Sequence, residues 1–72
     1  MYVIVFKPKN KRGSWKTLID VYPGGILKFK ETSNINDCSD LWRFMNIKEC
    51  QDWVKSLNIR YPRLIFKRRW FL

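Results

Sequence analysis

Histidine is absent from the 72-residue sequence, and cysteine occurs only twice, at Cys38 and Cys50. Histidine is the most versatile general acid and base near neutral pH, and a zinc site needs about four Cys, His or carboxylate ligands. The Gly24-Gly25 pair is followed neither by a Lys-Ser/Thr sequence nor by a helical pattern, so it is not a phosphate-binding loop. We therefore expect no catalytic residues, no metal site, no cofactor and no enzymatic activity.

Long apolar runs are also missing, because the longest one covers only residues 2–6. A membrane-spanning helix needs about 20 apolar residues, and a secretory signal needs a basic segment before its apolar core. Here the apolar run follows Met1 directly. We expect a single domain over residues 1–72, with no membrane span and an intracellular, cytoplasmic location. In that reducing compartment Cys38 and Cys50 are predicted to be free thiols.

Acidic residues are few, and they are confined to the middle of the chain. Residues 1–19 carry five basic residues and residues 53–72 carry six, with no acid in either segment. Residues 20–52 carry four basic and six acidic residues, and the net charge of the whole chain is +9. Two interpretations stay open: the charge is scattered and only aids solubility, or the two basic ends meet in the fold and form one positive face.

Apolar patterning predicts a small β-sheet. Residues 2–6 are uniformly apolar, which indicates a central strand buried on both faces. Apolar and polar residues alternate over 15–22 and again over 26–30, and Pro23-Gly24-Gly25 lies between them, so these segments predict a hairpin. The same alternation over residues 64–71 predicts the last strand.

The segment between the hairpin and the last strand is less uniform. Residues 31–40 are polar and predict a long loop. Residues 41–45 fit either a fourth strand, which we favour, or a helical turn.

An amphipathic helix is predicted to begin after Asn46. Asn46 is a favourable N-cap with Glu49 three residues on, and Met45 and Cys50 have the spacing of a hydrophobic staple. An apolar stripe that includes Cys50 and Trp53 predicts a buried face, with Trp53 in the core, and the helix is expected to end near Asn58. The predicted order is β-β-β-(β)-α-β, an α+β fold in which an antiparallel or mixed sheet of four to five strands packs against one helix.

Four stretches in this order carry a family resemblance: GSW at the start of a strand, the hairpin LIDVYPGGILKFK, the segment LWRF and the helix NIKECQDWVKSL. With them, residues 13–57 resemble the three-stranded-sheet-plus-helix DNA-binding domains of plant AP2 proteins and the N-terminal arms of integrases. In that family the sheet lies in the DNA major groove. The resemblance implies DNA contacts at the matching sheet positions, which are Trp15, Lys16, Lys28, Lys30 and Arg43.

Two stretches interleave basic and aromatic residues, 11–16 and 60–70, and this combination is typical of nucleic-acid-binding surfaces. The candidate nucleic-acid-binding residues are Lys11, Arg12, Trp15, Lys16, Lys28, Lys30, Arg43, Arg63, Lys67, Arg68 and Arg69. The residues expected to converge on one face are Arg12, Lys16, Lys67, Arg68 and Arg69. The Trp15 side chain either stacks on bases or packs in the core.

The first hypothesis for function is therefore a small non-enzymatic nucleic-acid-binding protein, with DNA favoured over RNA as the partner. The second is a small regulator encoded by a phage or other mobile element. Such a protein would bind an acidic surface of a host protein inside an infected cell, and electrostatic complementarity would set its association rate. The sequence makes no prediction about the oligomeric state.

Overall fold

The computed structural model describes residues 1–32 and 41–70. They form a four-stranded antiparallel sheet with one helix packed against it, which confirms the predicted α+β fold. The elements are β1 (Tyr2–Pro8), β2 (Lys16–Tyr22), β3 (Ile26–Glu31), α1 (Ile47–Arg60) and β4 (Leu64–Trp70). The strands lie in the order β3-β2-β1-β4, so the first and last strands of the chain are neighbours.

Three sequence predictions fall wholly or partly on the remaining residues. Most of the predicted loop over 31–40, the Cys38 thiol within it, and the predicted end of the last strand at Phe71 lie outside the described residues.

Strand β1 is the buried centre that its composition predicts. Its four residues from Val3 to Phe6 are between 0 and 5 % exposed. Successive side chains of a strand point to opposite faces of the sheet, and Ile4 and Phe6 join the cluster that α1 covers. Val3 and Val5 therefore lie on the opposite face, where they are equally buried. Both faces of the sheet exclude water along this strand.

The hairpin turn between β2 and β3 forms where Pro23-Gly24-Gly25 predicts it. The Gly25 amide donates to the Tyr22 carbonyl at 3.1 Å, and Gly24 has a φ of 87°. Proline at the second position and a positive φ at the third are features of a type II turn. Gly25 also has a positive φ of 80°, and a Cβ there would meet the Tyr61 hydroxyl at 3.0 Å. That hydroxyl donates to the Gly25 carbonyl at 2.7 Å and joins the hairpin to the end of α1.

Residues 41–45 do not form the fourth strand that we favoured. Phe44 makes an isolated bridge with Tyr2, in which each amide donates to the other's carbonyl at 2.8 Å. The short pairing between β1 and β2 explains this outcome. In β2, Thr17 and Lys16 pair with β1. Beyond them, the pairing of β2 with β3 has an irregular register between Leu18 and Asp20. The hairpin therefore does not pair with the first half of β1. The amide and carbonyl of Tyr2 bond to Phe44 instead.

Helix α1 begins as predicted. The Asn46 side-chain oxygen accepts from the Lys48 amide at 2.8 Å and from the Glu49 amide at 3.4 Å. The predicted hydrophobic staple is wrong, because Met45 is 84 % exposed. The predicted end near Asn58 is two residues too early, because the helix continues to Arg60. The Asn58 side chain bonds to the Phe66 backbone of β4.

The buried stripe of α1 is narrower than its apolar residues predict. Cys50 and Leu57 are buried, but Trp53, predicted as a core residue, is 40 % exposed. Its indole packs edge-on against Trp42, with 4.8 Å between ring centroids. Cys50 is a free thiol, as predicted. Burial raises the pKa of Cys50, and the nearby Arg68 guanidinium opposes that shift.

Candidate nucleic-acid interface

The sheet brings the basic loop before β2 next to the basic strand β4. Val5 of β1 pairs with Thr17 on one side and with Lys67 on the other. Trp15 precedes Thr17 by two residues, so its side chain lies on the same side of the chain and reaches over β1 toward β4. The juxtaposition follows from strand order, because β1 is the neighbour of both β2 and β4.

The Trp15 ring lies beside the side-chain ammonium groups of two lysines. Lys67 Nζ is 4.2 Å from the ring centroid and Lys7 Nζ is 5.0 Å from it. Both distances are within the range of cation–π attraction, which is strongest for tryptophan. Trp15 is only partly buried, so it is not a fully buried core residue, and its ring contacts two lysines. Base stacking by Trp15 stays a prediction.

The backbone at Trp15 is held by two hydroxyl groups. The Thr32 hydroxyl donates to the Trp15 carbonyl, and the fully buried Thr17 hydroxyl lies 3.5 Å from the Thr32 hydroxyl. Thr32 directly follows the edge strand β3, so the position of Trp15 is linked to the far side of the sheet. These contacts limit the freedom of the loop at the point where it presents its tryptophan.

The remainder of this loop lies open to solvent. Lys11, Arg12, Gly13 and Ser14 are exposed. They line a shallow depression of about 420 Å³ together with Pro8, Lys16 and Glu31. Glu31 places one negative charge in its wall, and Lys11, Arg12 and Lys16 supply three positive charges there. The depression is therefore cationic on balance.

The prediction that all five basic residues converge on one face needs correction. On β4, Lys67 pairs with Val5 and Arg69 pairs with Val3, so both lie on the face that carries Trp15. Arg68 pairs with Ile4, and its guanidinium lies 5.6 Å from the Tyr2 ring on the helix-covered face. The alternation of side chains along a strand sends adjacent basic residues to opposite surfaces.

Lys16 also departs from the predicted set. Its Nζ lies 4.9 Å from the centroid of the Phe29 ring, and Phe29 in turn packs edge-on against Phe6 of the helix-side cluster. Lys16 therefore sits at the rim between the two faces. Its backbone pairs with Phe6 on one side and with Glu31 on the other.

The other candidates are distributed around the domain. Lys28 and Lys30 are exposed on the edge strand β3, opposite Asp20 and Thr17, and Arg43 is exposed beside the Phe44 bridge. The Arg63 carbonyl accepts from the Lys9 amide at 3.0 Å, where β4 is about to begin. The structure thus brings Trp15 and Lys67 together, with Arg69 on the same face, and leaves Lys28, Lys30 and Arg43 away from them in the fold.

Lys7 is the residue that the sequence reasoning missed. It is the last residue but one of β1, on the face of Val3 and Val5, and it contacts Trp15. The signal was present, because Lys7 lies two residues after Val5 in the same strand and therefore falls on the face of Val3 and Val5. We define the basic face as Lys7, Trp15, Lys67 and Arg69, together with Lys11 and Arg12 of the adjoining loop, which line the depression beside Pro8 and Lys16.

No protein-family model, curated protein or solved structure matches this chain. In the described residues, no helix has both the length and the apolar character needed to cross a membrane. Over residues 1–32 and 41–70, no three Cys, Asp or Glu residues are grouped closely enough to hold a metal ion.

Proposed function

We propose that this protein is a non-enzymatic nucleic-acid-binding module that contacts phosphates through the basic face. The observation that carries the proposal is the placement of Lys7 and Lys67 beside Trp15, which joins the basic ends of the chain into one surface. DNA is favoured over RNA as the partner because of the sequence resemblance to the AP2 and integrase domains. This function implies an intracellular location.

Phosphate contact is the physical basis of the proposed binding. Each phosphate that a lysine or arginine neutralises releases condensed counterions, and this contribution requires no reading of bases. Trp15 restricts the two lysines that flank it, so less side-chain entropy is lost when they meet a phosphate. The Lys11 and Arg12 side chains are exposed in the adjoining loop and supply further contacts.

The test is a salt series of fluorescence anisotropy titrations with a 20-base-pair duplex, the corresponding single strand and an RNA of the same sequence. We expect Lys11→Gln with Arg12→Gln, and separately Lys67→Gln with Arg69→Gln, to weaken duplex binding at least about tenfold. Each pair should lower the slope of log affinity against log salt by about two, because each lost phosphate contact removes about 0.9.

The matched control is Lys9→Gln with Lys48→Gln, which removes the same charge from two exposed lysines outside the basic face. We expect this control to weaken binding less than about threefold, as long-range electrostatics alone predict. Equal losses in all three double variants would show that only net charge matters. Absence of binding to every nucleic acid at low salt would overturn the proposal and favour a protein partner.

A second test separates the positioning role of Trp15 from the charges themselves. Trp15→Ala retains every lysine and arginine but removes the ring between Lys7 and Lys67. We expect weaker duplex binding with the salt slope nearly unchanged, and Trp15→Phe should restore most of the affinity because phenylalanine also attracts cations. If Phe and Ala behave alike while both variants keep the parent's circular dichroism spectrum, Trp15 does not position the lysines.

A further inference from the structure

A second basic surface lies on the other side of β4, between that strand and α1. It is a groove of about 650 Å³ whose lining includes Val54, Lys55 and Ile59 of the helix and Phe66 and Arg68 of the strand. None of its lining residues is acidic. Ile59 is 74 % exposed although it is a large apolar residue, while Phe66 is 2 % exposed. The groove therefore combines an exposed apolar side chain with three cationic residues, Lys55, Lys67 and Arg68.

The backbone beside this groove is already prepared for strand pairing. The Asn58 side-chain Nδ2 donates to the Phe66 carbonyl at 3.0 Å, and the Asn58 side-chain oxygen accepts from the Phe66 backbone amide at 2.8 Å. Asn58 thus takes the position that a residue of a neighbouring strand would take. Every second residue of a strand presents its amide and carbonyl to the same edge, so Arg68 presents the next pair.

The edge itself belongs to the last strand of the sheet. β4 is terminal in the strand order, and among residues 1–32 and 41–70 only β1 pairs with it. Basic side chains on an edge strand also protect against uncontrolled pairing between copies of a protein. A groove with both an apolar wall and a hydrogen-bonding edge is better suited to a specific extended ligand.

We propose that this groove binds an extended acidic segment of a partner protein, which pairs with the edge of β4 from Asn58 toward Trp70. Carboxylates of the segment pair with Lys55 and Arg68, and an apolar side chain packs against Ile59. The groove offers bases no stacking platform, because the aromatic ring in its lining, that of Phe66, is buried. The chemistry therefore favours a peptide over a nucleic acid. The groove shares Lys67 with the basic face, but the inference does not depend on the proposed function.

The experiment uses the full chain and two fluorescein-labelled octapeptides, one alternating Glu with Val and one alternating Lys with Val. We expect the Glu–Val peptide to bind and the Lys–Val peptide not to bind. Lys55→Gln with Arg68→Gln should weaken binding at least about tenfold. The Lys9→Gln, Lys48→Gln control removes the same charge elsewhere and should weaken it less than about threefold.

A neutral pair of variants tests the apolar contact. Ile59→Ser should lower the affinity for the Glu–Val peptide at least about threefold. Ile26→Ser, at another isoleucine that is 63 % exposed, should leave the affinity for this peptide unchanged. In a two-dimensional ¹⁵N spectrum we expect the largest amide shifts at Asn58, Phe66 and Arg68. The Ile59 variant and the amide shifts locate the bound peptide in the groove even if one charge variant alters the stability of the domain.

The same variants distinguish failure of this inference from failure of the nucleic-acid proposal. Peptide shifts confined to the basic face, or no binding of the acidic peptide, would overturn the groove assignment. If Lys55→Gln with Arg68→Gln abolished duplex binding while the basic-face variants did not, the groove would be the nucleic-acid site and the peptide proposal would be wrong. Peptide binding without any nucleic-acid binding would support the groove alone.

Discussion

The two faces of the sheet are built from different kinds of residues. The helix-covered face contains large apolar side chains such as Phe6, Leu18 and Phe66. The basic face buries the smaller Val3, Val5 and Thr17, and places Trp15 with two lysines at its rim. We infer that the first face supplies most of the stability and that the second presents charge. Substitutions on the two faces should therefore affect different measurements.

Strand β4 shows the difference within consecutive residues. Phe66 and Arg68 belong to the helix-covered face, whereas Lys67 and Arg69 belong to the basic face. A count of charges along the strand would treat residues 67–69 as one cluster. The fold directs their side chains alternately to the two sides of the sheet, although Lys67 also lines the groove beside Arg68.

The largest effect is expected at Phe66. Its ring is 2 % exposed and stacks on Phe6 with 5.3 Å between centroids. Phe66→Ala should destabilise the domain by about 3–5 kcal/mol, which approaches the whole stability of a chain this small. Urea denaturation followed by circular dichroism measures it. The adjacent Ile65, on the other face and 37 % exposed, is the matched control, and an equal loss in Ile65→Ala would contradict the distinction between the faces.

The second largest loss of stability is expected at Asn58, because its side chain joins α1 to the edge of β4. Asn58→Ala removes two hydrogen bonds to the Phe66 backbone and should cost about 1–3 kcal/mol. Gln51→Ala, also on an exposed helix position, serves as the control and should cost less than about 0.5 kcal/mol. Hydrogen exchange at the Phe66 amide should accelerate in the Asn58 variant, and unchanged exchange there would show that the bond does not persist in solution.

Trp53 should matter less than the apolar stripe of the sequence predicts. With 40 % of its side chain exposed and one aromatic contact to Trp42, we expect Trp53→Ala to cost about 1–2 kcal/mol. Complete unfolding of this variant would show that the tryptophan is a core residue after all. Ile59→Ala, at a residue 74 % exposed on the same helix, provides the lower reference in the same denaturation experiment.

On the basic face a single charge change should barely alter stability. Lys67→Gln removes one cation–π contact with Trp15 and should cost about 0.5–1 kcal/mol. Arg69→Gln, two residues on along the same face, should stay within about 0.5 kcal/mol of the parent. A thermal unfolding series measures both, and a Lys67 effect no larger than that of Arg69 would argue against the cation–π contact in solution.

The smallest effect at neutral pH concerns Cys50. Burial raises the pKa of Cys50 above its ordinary value of 9.0, so above that pH the unfolded chain ionises before the folded one. Stability from this thiol is fully present below about pH 9 and is lost as pH rises further through the folded pKa. Urea midpoints from pH 7 to 10 for Cys38→Ser, with and without Cys50→Ala, isolate it. Identical slopes of urea midpoint against pH in the two series would contradict the prediction.

Elements whose signals lie close together in the chain were predictable. The uniformly apolar start of β1, the Pro-Gly-Gly turn and the Asn46 cap each depend on neighbours within about four residues, and each forms as predicted. The segment over 41–45 was ambiguous from sequence, since its outcome depends on whether a distant strand offers it a partner. Among residues 1–32 and 41–70, Tyr2 is the residue that pairs with this segment, and the result is an isolated bridge at Phe44.

The candidate site was predictable in composition and not in arrangement. Local sequence identifies the basic residues of the N-terminal loop and of β4, because charge is read directly from residue type. The meeting of Lys7 and Lys67 at Trp15 depends on the strand order β3-β2-β1-β4, which places β1 between β2 and β4. The division of Lys67 from Arg68 depends on which face α1 covers. Pairing and coverage are contacts between residues far apart in sequence, so tertiary packing alone determines them.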